Sequence, residues 1–174
     1  GRNRGADRSS VVELTATDVD GPGDLVAYLT GAFVRPETSF DSTDGFDAAV
    51  DRLLSFLSTE SADCGSDADD LLSAATYAHE TGRDVALCAL VDALERPLGS
   101  AGRWLELNSV NDRAIAAAER LSDDRCRTVA LIGRGRAAIG RQEFDAAEAD
   151  LVAALALAET IDDVELRARA HRAL

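Results

Sequence analysis

The 174-residue sequence contains no lysine and no methionine, and aromatic side chains make up only 5% of it. Without lysine, the sequence has no GxxxxGK[ST] phosphate loop, so a P-loop nucleotide site is excluded within these residues. No uninterrupted apolar run approaches the roughly 18 to 20 residues that cross a bilayer. The sequence therefore predicts neither a nucleotide-binding loop nor a membrane-spanning helix.

Positive charge is also scarce in this chain. All 18 basic residues are arginines, and the chain has 32 acidic residues, which gives a formal net charge of −14. Nucleic-acid binding needs clustered cations that neutralise phosphates, so this balance argues against a nucleic-acid partner. A hydrophobic fraction of 46% is too high for a disordered chain. The composition is that of a folded, acidic protein.

Cysteine is the third scarce residue type. Cys64, Cys88 and Cys126 are separated by 24 and 38 residues, which fits neither a CxxC metal pair nor a small disulfide framework. This spacing predicts reduced thiols in a cytoplasmic protein. Cys88 lies inside an apolar run, where a thiol is expected to act as a small buried hydrophobe. No N-terminal stretch resembles a signal peptide.

The sequence pattern divides the chain into three parts. Residues 1–10 are polar and unpatterned, which predicts a disordered arm. Residues 11–43 form an N-terminal segment with one predicted helix, over residues 24–34. Residues 44–174 are predicted to form a helical array whose last repeat is incomplete. The absence of Met at position 1 and the unfinished helical pattern at Leu174 favour a piece excised from a longer chain.

An internal repeat of about 40 residues runs through the last part of the chain. Asp84, Asp124 and Asp163 each open a predicted helix, at separations of 40 and 39 residues. Glycine turns at Gly102 and Gly140 separate the two helices of each unit. Units of two helices with a glycine turn are the signature of an α-solenoid. The sequence therefore predicts an all-α fold built from antiparallel helix pairs.

The clearest unit resembles the tetratricopeptide (TPR) repeat. In that family a glycine ends the first helix, an aromatic residue opens the second, and alanine recurs where the second helix packs on its neighbours. The matching residues are Gly133, Gly140, Phe144, Ala147 and Ala154. Arg136 departs from the family pattern, and two extra residues after Gly140 favour the longer variety of about 40 residues. We expect Gly140 to end a helix, and Phe144 and Leu155 to be buried between helices.

A longer stretch runs from LLSAATYAHETGRDVALCALVDALERPLGSAGRWLEL through AIAAAERLSD to ALALAETIDDVELRARAHRAL. It is similar to the helical sensor region of bacterial STAND-type signalling ATPases and related TPR regulators, over roughly residues 68–174. The resemblance implies a non-catalytic protein-protein interaction module, a scaffold or a sensor, and carries no catalytic residues. The alternatives are a fragment of a nucleotide-dependent signalling ATPase whose NTPase part is missing, and a structural spacer without a ligand.

Arginines of the 124–159 unit are the candidate partner-binding residues. Arg127, Arg134 and Arg141 are seven residues apart, which places them on one stripe of the predicted first helix, whereas Arg136 points elsewhere. In TPR arrays the first helix lines the groove, so the resemblance implies that this stripe grips acidic groups of a protein or peptide partner. The alternative is a solvated face, salt-bridged to nearby acids. Those acids are Glu143, Glu148 and Asp150.

Other chemistry-bearing residues have structural interpretations. The run Gly133-Arg134-Gly135-Arg136 lies in a helical register, so it is interpreted as close helix packing and not as a phosphate site. His79 and His171 lack a second His or Cys at helical spacing, which argues against a metal site. Trp104 is interpreted as a core residue, with a ligand anchor as the alternative. The sequence predicts no cofactor and no catalytic residue, and we expect a monomer or a weak homo-oligomer.

Overall fold

The computed structural model describes residues 67–174, and this part of the chain is entirely helical apart from short links. The helices are α1 Asp67–Glu80, α2 Asp84–Ser100, α3 Trp104–Leu121, α4 Asp124–Gly140, α5 Phe144–Thr160 and α6 Val164–Ala173. The all-α prediction is confirmed for the described residues. The predicted arm 1–10, the segment 11–43 and the helices predicted between residues 44 and 66 lie outside them.

Aspartates stand at the starts of three helices, as the sequence predicts. Asp84 and Asp124 are the first residues of α2 and α4, and Asp163 immediately precedes α6. The carboxylates of Asp123 and Asp163 each accept a hydrogen bond from the backbone N–H three residues later, at 2.9 and 3.0 Å. Such caps satisfy N–H groups that have no carbonyl partner within the helix.

The links between the helices repeat with a period of twenty residues. One residue in each link has a left-handed backbone conformation, and these residues are Gly82, Gly102, Ser122, Gln142 and Asp162. The backbone N–H of the following residue donates to the carbonyl oxygen five residues earlier, at 2.8 to 3.0 Å in every link. This hydrogen bond is the one that defines the Schellman motif at a helix C-terminus. Two of these twenty-residue periods make up the predicted 40-residue unit.

Helices pack against their neighbours along the chain and against alternate neighbours. Each helix contacts the next one, and contacts also join α1 to α3, α2 to α4, and α4 to α6, whereas α3 and α5 do not touch. Helices α2, α4 and α6 therefore lie side by side in one row. The largest fully buried side chains are Leu71, Leu87, Leu90, Val91, Leu94, Leu98, Leu107, Ile132, Leu151 and Leu166. None of the six helices is long and apolar enough to cross a membrane.

Two glycines inside α4 allow close approach of the helices on either side. A Cβ atom on Gly133 would lie 2.5 Å from Oδ1 of Asn111 in α3, and one on Gly135 would lie 2.8 Å from Cγ of Leu151 in α5. Packed atoms do not approach so closely, so a larger residue at either position would force the helices apart. The interpretation of this glycine-containing run as helix packing is confirmed.

Trp104 and Phe144 occupy corresponding positions forty residues apart but differ in burial. Trp104 is partly buried against the core, beside Gly140, which ends α4 as predicted. The side chain of Phe144 is 63% exposed, so the prediction that it is buried between helices is wrong. Within residues 67–174, Trp104 packs against Gly140 and the core, whereas Phe144 does not belong to the packed core. Leu155 is partly buried against the core.

The prediction of reduced thiols is wrong for two of the three cysteines. Cys88 of α2 and Cys126 of α4 form a disulfide, with their Cα atoms 5.6 Å apart. Helices α2 and α4 begin forty residues apart and lie side by side. Residues 38 apart in sequence therefore come within the distance that a disulfide spans. Cys64 lies outside the described residues.

Candidate functional site

A charged cleft of about 430 Å³ opens on the row formed by α2, α4 and α6. Its lining residues are Asp92, Glu95 and Arg96 from α2, Arg136 from α4, and Glu165, Arg169 and Arg172 from α6. Four arginines and three carboxylates line the cleft, although acids greatly outnumber arginines in the whole chain. A lining made of charged side chains suits an ionic ligand better than an apolar one.

Arg169 links α6 to α2 across the cleft. Its Nη2 atom lies 2.6 Å from Oδ1 of Asp92 and 2.7 Å from Oε2 of Glu95. The side chains of Arg169 and Glu95 are only 15% and 11% exposed. Burial lowers the pKa of Arg169, but the hydrogen bonds and charges of Asp92 and Glu95 outweigh burial and hold this pKa above its usual value. The guanidinium is thus a fixed positive charge in the wall of the cleft.

Glu95 connects all three helices of the row. In addition to its contact with Arg169 of α6, its Oε1 atom accepts a hydrogen bond from Nη1 of Arg136 in α4. A largely buried carboxylate is costly to desolvate, and two guanidiniums offset that cost. Loss of Glu95 would leave Arg136 and Arg169 without this shared partner. The cleft wall is therefore held by an ion-pair network and not by apolar contacts alone.

Two arginines at the cleft have no carboxylate partner among the residues that the structure describes. Arg96 and Arg172 are both exposed. Nε of Arg172 donates to the backbone carbonyl oxygen of Ala168 at 3.4 Å, which leaves its charge without a counter-charge. Because a guanidinium presents a planar fork of donors, these two residues offer binding positions for carboxylates of an incoming segment.

Arg134, the centre of the predicted stripe, is held by two acidic side chains. Its guanidinium donates to both oxygens of Asp150 in α5, at 2.7 and 2.6 Å, and to Asp112 in α3, at 2.9 Å. The hydrogen bonds to Asp150 raise the pKa of Arg134, burial opposes that increase, and Asp112 adds to it. Arg134 therefore lies on the side of α4 that faces α3 and α5, whereas Arg136 faces the cleft.

The other two arginines of the predicted stripe also have acidic neighbours. Arg127 lies 3.6 Å from Glu119, and Arg141 donates a hydrogen bond of 2.7 Å to Glu143, one of the acids named from the sequence. Each stripe arginine thus contacts a carboxylate of the chain itself. Partner binding by the stripe remains a prediction.

Sequence reasoning missed the pairing of Arg136 with Glu95 and of Arg169 with Asp92. The repeat held part of the information needed to place Arg136 in the cleft. Arg96 and Arg136 are forty residues apart and occupy corresponding positions of α2 and α4. A comparison of corresponding positions would have placed them on one surface. The contact of Arg169 with Asp92, 77 residues apart, gave no such signal, since it depends on the reach of a side chain past α4.

Within residues 67–174, no group of three His, Cys, Asp or Glu side chains is arranged to hold a metal ion. Comparisons of the chain with known protein families, with curated proteins and with solved structures find no match. The geometry of the cleft is therefore the main evidence from which a function can be argued.

Proposed function

We propose that these helices form a TPR-like α-solenoid of antiparallel pairs that acts as a non-catalytic protein-protein interaction module. The solenoid is supported by the twenty-residue period of the links and by the contacts between alternate helices. One helix pair cannot bury its apolar faces alone, so stacked neighbours supply the core. An interaction role agrees with the resemblance to TPR regulators, and a cytoplasmic location is part of this proposal.

The proposed function rests mainly on the charged cleft on the row of α2, α4 and α6. Helices that lie side by side leave a shared surface across which a partner segment can bind. In this cleft the ion pairs of Arg169 and Arg136 fix the wall. The guanidiniums of Arg96 and Arg172, which have no carboxylate partner among the described residues, remain for the partner. The partner class that fits is an acidic segment of another protein. The stripe of Arg127, Arg134 and Arg141 is the second candidate surface.

Site-specific photo-crosslinking in the full-length chain tests the cleft directly. A photoreactive amino acid in place of Glu165, which lines the cleft but is not one of the two binding arginines, is expected to crosslink to the partner in extracts of the source cell. The matched control carries the same amino acid in place of Glu148, which is exposed on α5, away from the row. Equal crosslinking from both positions would contradict binding at the cleft, and a complete absence of crosslinks would favour the spacer.

Charge reversal separates the two candidate surfaces. Arg96→Glu combined with Arg172→Glu is expected to weaken partner capture by about tenfold or more, and the loss should shrink as salt is raised. Arg167→Glu is the control for Arg172→Glu alone, since it makes the same change of charge on α6 outside the cleft lining. If Arg127→Glu combined with Arg141→Glu abolishes capture instead, the stripe is the binding surface. Nucleotide binding by the full-length protein would favour the signalling ATPase alternative.

A further inference from the structure

The disulfide between Cys88 and Cys126 crosses the contact between α2 and α4. It joins two successive helices of the row, and not the two helices of one link. Cys88 precedes Asp92 by four residues and Glu95 by seven, so it lies on the same face of α2 as these two cleft residues. The covalent bond therefore lies along the same wall as the Glu95 ion pairs.

The two cysteine residues differ in exposure. Cys88 is partly exposed, whereas Cys126 is only 6% exposed and its Sγ atom lies 3.9 Å from the backbone carbonyl oxygen of Ala114 in α3. Thiol–disulfide exchange requires an incoming thiolate to reach one sulfur while the other departs. This geometry makes Cys88 the sulfur that is attacked and Cys126 the leaving group.

We propose that this disulfide is a thiol–disulfide exchange site whose substrate is a dithiol. One thiolate of the dithiol bonds to Sγ of Cys88, the bond to Cys126 breaks, and its electron pair leaves on Sγ of Cys126, which takes up a proton. The second thiolate of the reductant then displaces Cys88, which also takes up a proton. The protein gains two electrons and two protons, and the dithiol is oxidised to its own disulfide.

Exchange at this site controls how firmly α2 is held to α4. In the oxidised protein the disulfide and the Glu95–Arg136 ion pair both join these helices. In the reduced protein the ion pair remains without the covalent bond. Disulfides of cytoplasmic proteins are usually transient and redox-sensing, which matches the predicted location. Redox control of partner binding at the cleft rests on the proposed function, whereas the exchange itself does not.

Native-state reduction tests the proposal in the full-length chain with Cys64→Ser, so that only these two cysteines can exchange. Protein purified without reductant should carry no free thiol. Dithiothreitol should then release two thiols, trapped with iodoacetamide and counted by mass spectrometry, faster than the chain unfolds globally. Reduction should also accelerate amide hydrogen exchange in α2 and leave α5 unchanged.

Single-cysteine variants test which sulfur is accessible. In the Cys64→Ser background, Cys126→Ser leaves the Cys88 thiol and Cys88→Ser leaves the Cys126 thiol. The Cys88 thiol should react with an aromatic disulfide reagent at least about tenfold faster than the Cys126 thiol. Because each variant retains one thiol, circular dichroism of both shows whether the comparison is made on folded protein. If either variant is unfolded, the proposal is decided by whether the folded Cys64→Ser protein is reduced faster than it unfolds globally.

Several results would overturn the exchange site. They are free thiols at both positions in the unreduced protein, equal reactivity of the two thiols in folded variants, and reduction no faster than global unfolding. If exchange proceeds as expected while the probe at position 165 crosslinks to nothing, the exchange site stands and the proposed function fails. If the probe at position 165 crosslinks equally in both redox states, redox control of partner binding is wrong.

Discussion

The indole ring of Trp104, at the start of α3, lies directly against Gly140, the last residue of α4. A Cβ atom at position 140 would overlap this ring, so the absence of a side chain there is what lets the ring pack. A Cβ atom at position 99, near the end of α2, would lie at ordinary van der Waals distance from the same ring. The single tryptophan of the chain thus fixes how the ends of α2 and α4 meet α3.

Gly140→Ala is expected to lower the free energy of unfolding by about 1 to 3 kcal/mol, because the added methyl group forces the indole ring to move. Gly99→Ala is the matched control. Its Cβ atom would lie 3.6 Å from Cζ3 of Trp104, and alanine is favoured over glycine in a helix, so stability should stay equal or rise by up to about 1 kcal/mol. Urea unfolding of both variants checks this, and equal effects would contradict the packing.

Trp104→Ala and Phe144→Ala should differ in cost although the two residues correspond in the repeat. Trp104 packs against the core, so its loss is expected to cost about 3 kcal/mol. Phe144 is 63% exposed, so its loss should cost less than about 1 kcal/mol. Chemical unfolding measures both. A cost for Phe144 similar to that for Trp104 would mean that another part of the chain covers it.

The repeat made the helices and their order predictable, because period and capping are local properties of the sequence. The predicted helix starts at Asp84 and Asp124 and the end at Gly140 are those of the structure. The contacts between helices depend on how each helix is rotated against its neighbours, which no local pattern specifies. For this reason the disulfide of Cys88 and the cleft position of Arg136 could not be predicted.

The burial of side chains also could not be predicted from local sequence patterns alone. Trp104 and Phe144 follow similar turns, yet among the described residues only Trp104 packs against the core. Arg134 and Arg136 face different neighbours, as their spacing along α4 predicts, and partner binding by the stripe stays a prediction. Only the three-dimensional arrangement shows which of these two faces of α4 belongs to the row of α2, α4 and α6.

Gln142→Gly is expected to stabilise the protein by about 0.5 to 1 kcal/mol. Gln142 has a φ of +65° in the link between α4 and α5, a conformation that costs a residue with a Cβ atom and suits glycine. Gly102 has the corresponding position in the link between α2 and α3, with a φ of +70°. Gly102→Ala should therefore destabilise by about 1 kcal/mol. Thermal unfolding of the two variants should shift the midpoint in opposite directions.

Asp84 and Arg120 join the start of α2 to the end of α3, and this pair should make stability depend on acid. Arg120 donates to both oxygens of Asp84, at 2.6 and 2.7 Å. These hydrogen bonds lower the pKa of Asp84 below its ordinary 3.8, although burial opposes the shift. Since the folded pKa lies below the unfolded one, the stabilisation is complete above the unfolded pKa and is lost as pH falls through the folded pKa.

Asp84→Asn is therefore expected to cost about 0.5 to 1 kcal/mol at neutral pH, and this cost should shrink as pH falls through the folded pKa of Asp84, below which the wild-type carboxyl is also protonated. Asp124→Asn is the matched control, because Asp124 is likewise the first residue of its helix and feels the same helix dipole, but no arginine contact accompanies it in the described residues. Urea unfolding at several pH values, with Arg120→Gln completing a double-mutant cycle, measures the coupling. A difference between wild type and Asp84→Asn that stays the same as the pH is lowered through the acidic range would assign the cost to helix capping, because an ion pair cannot survive protonation of its acid.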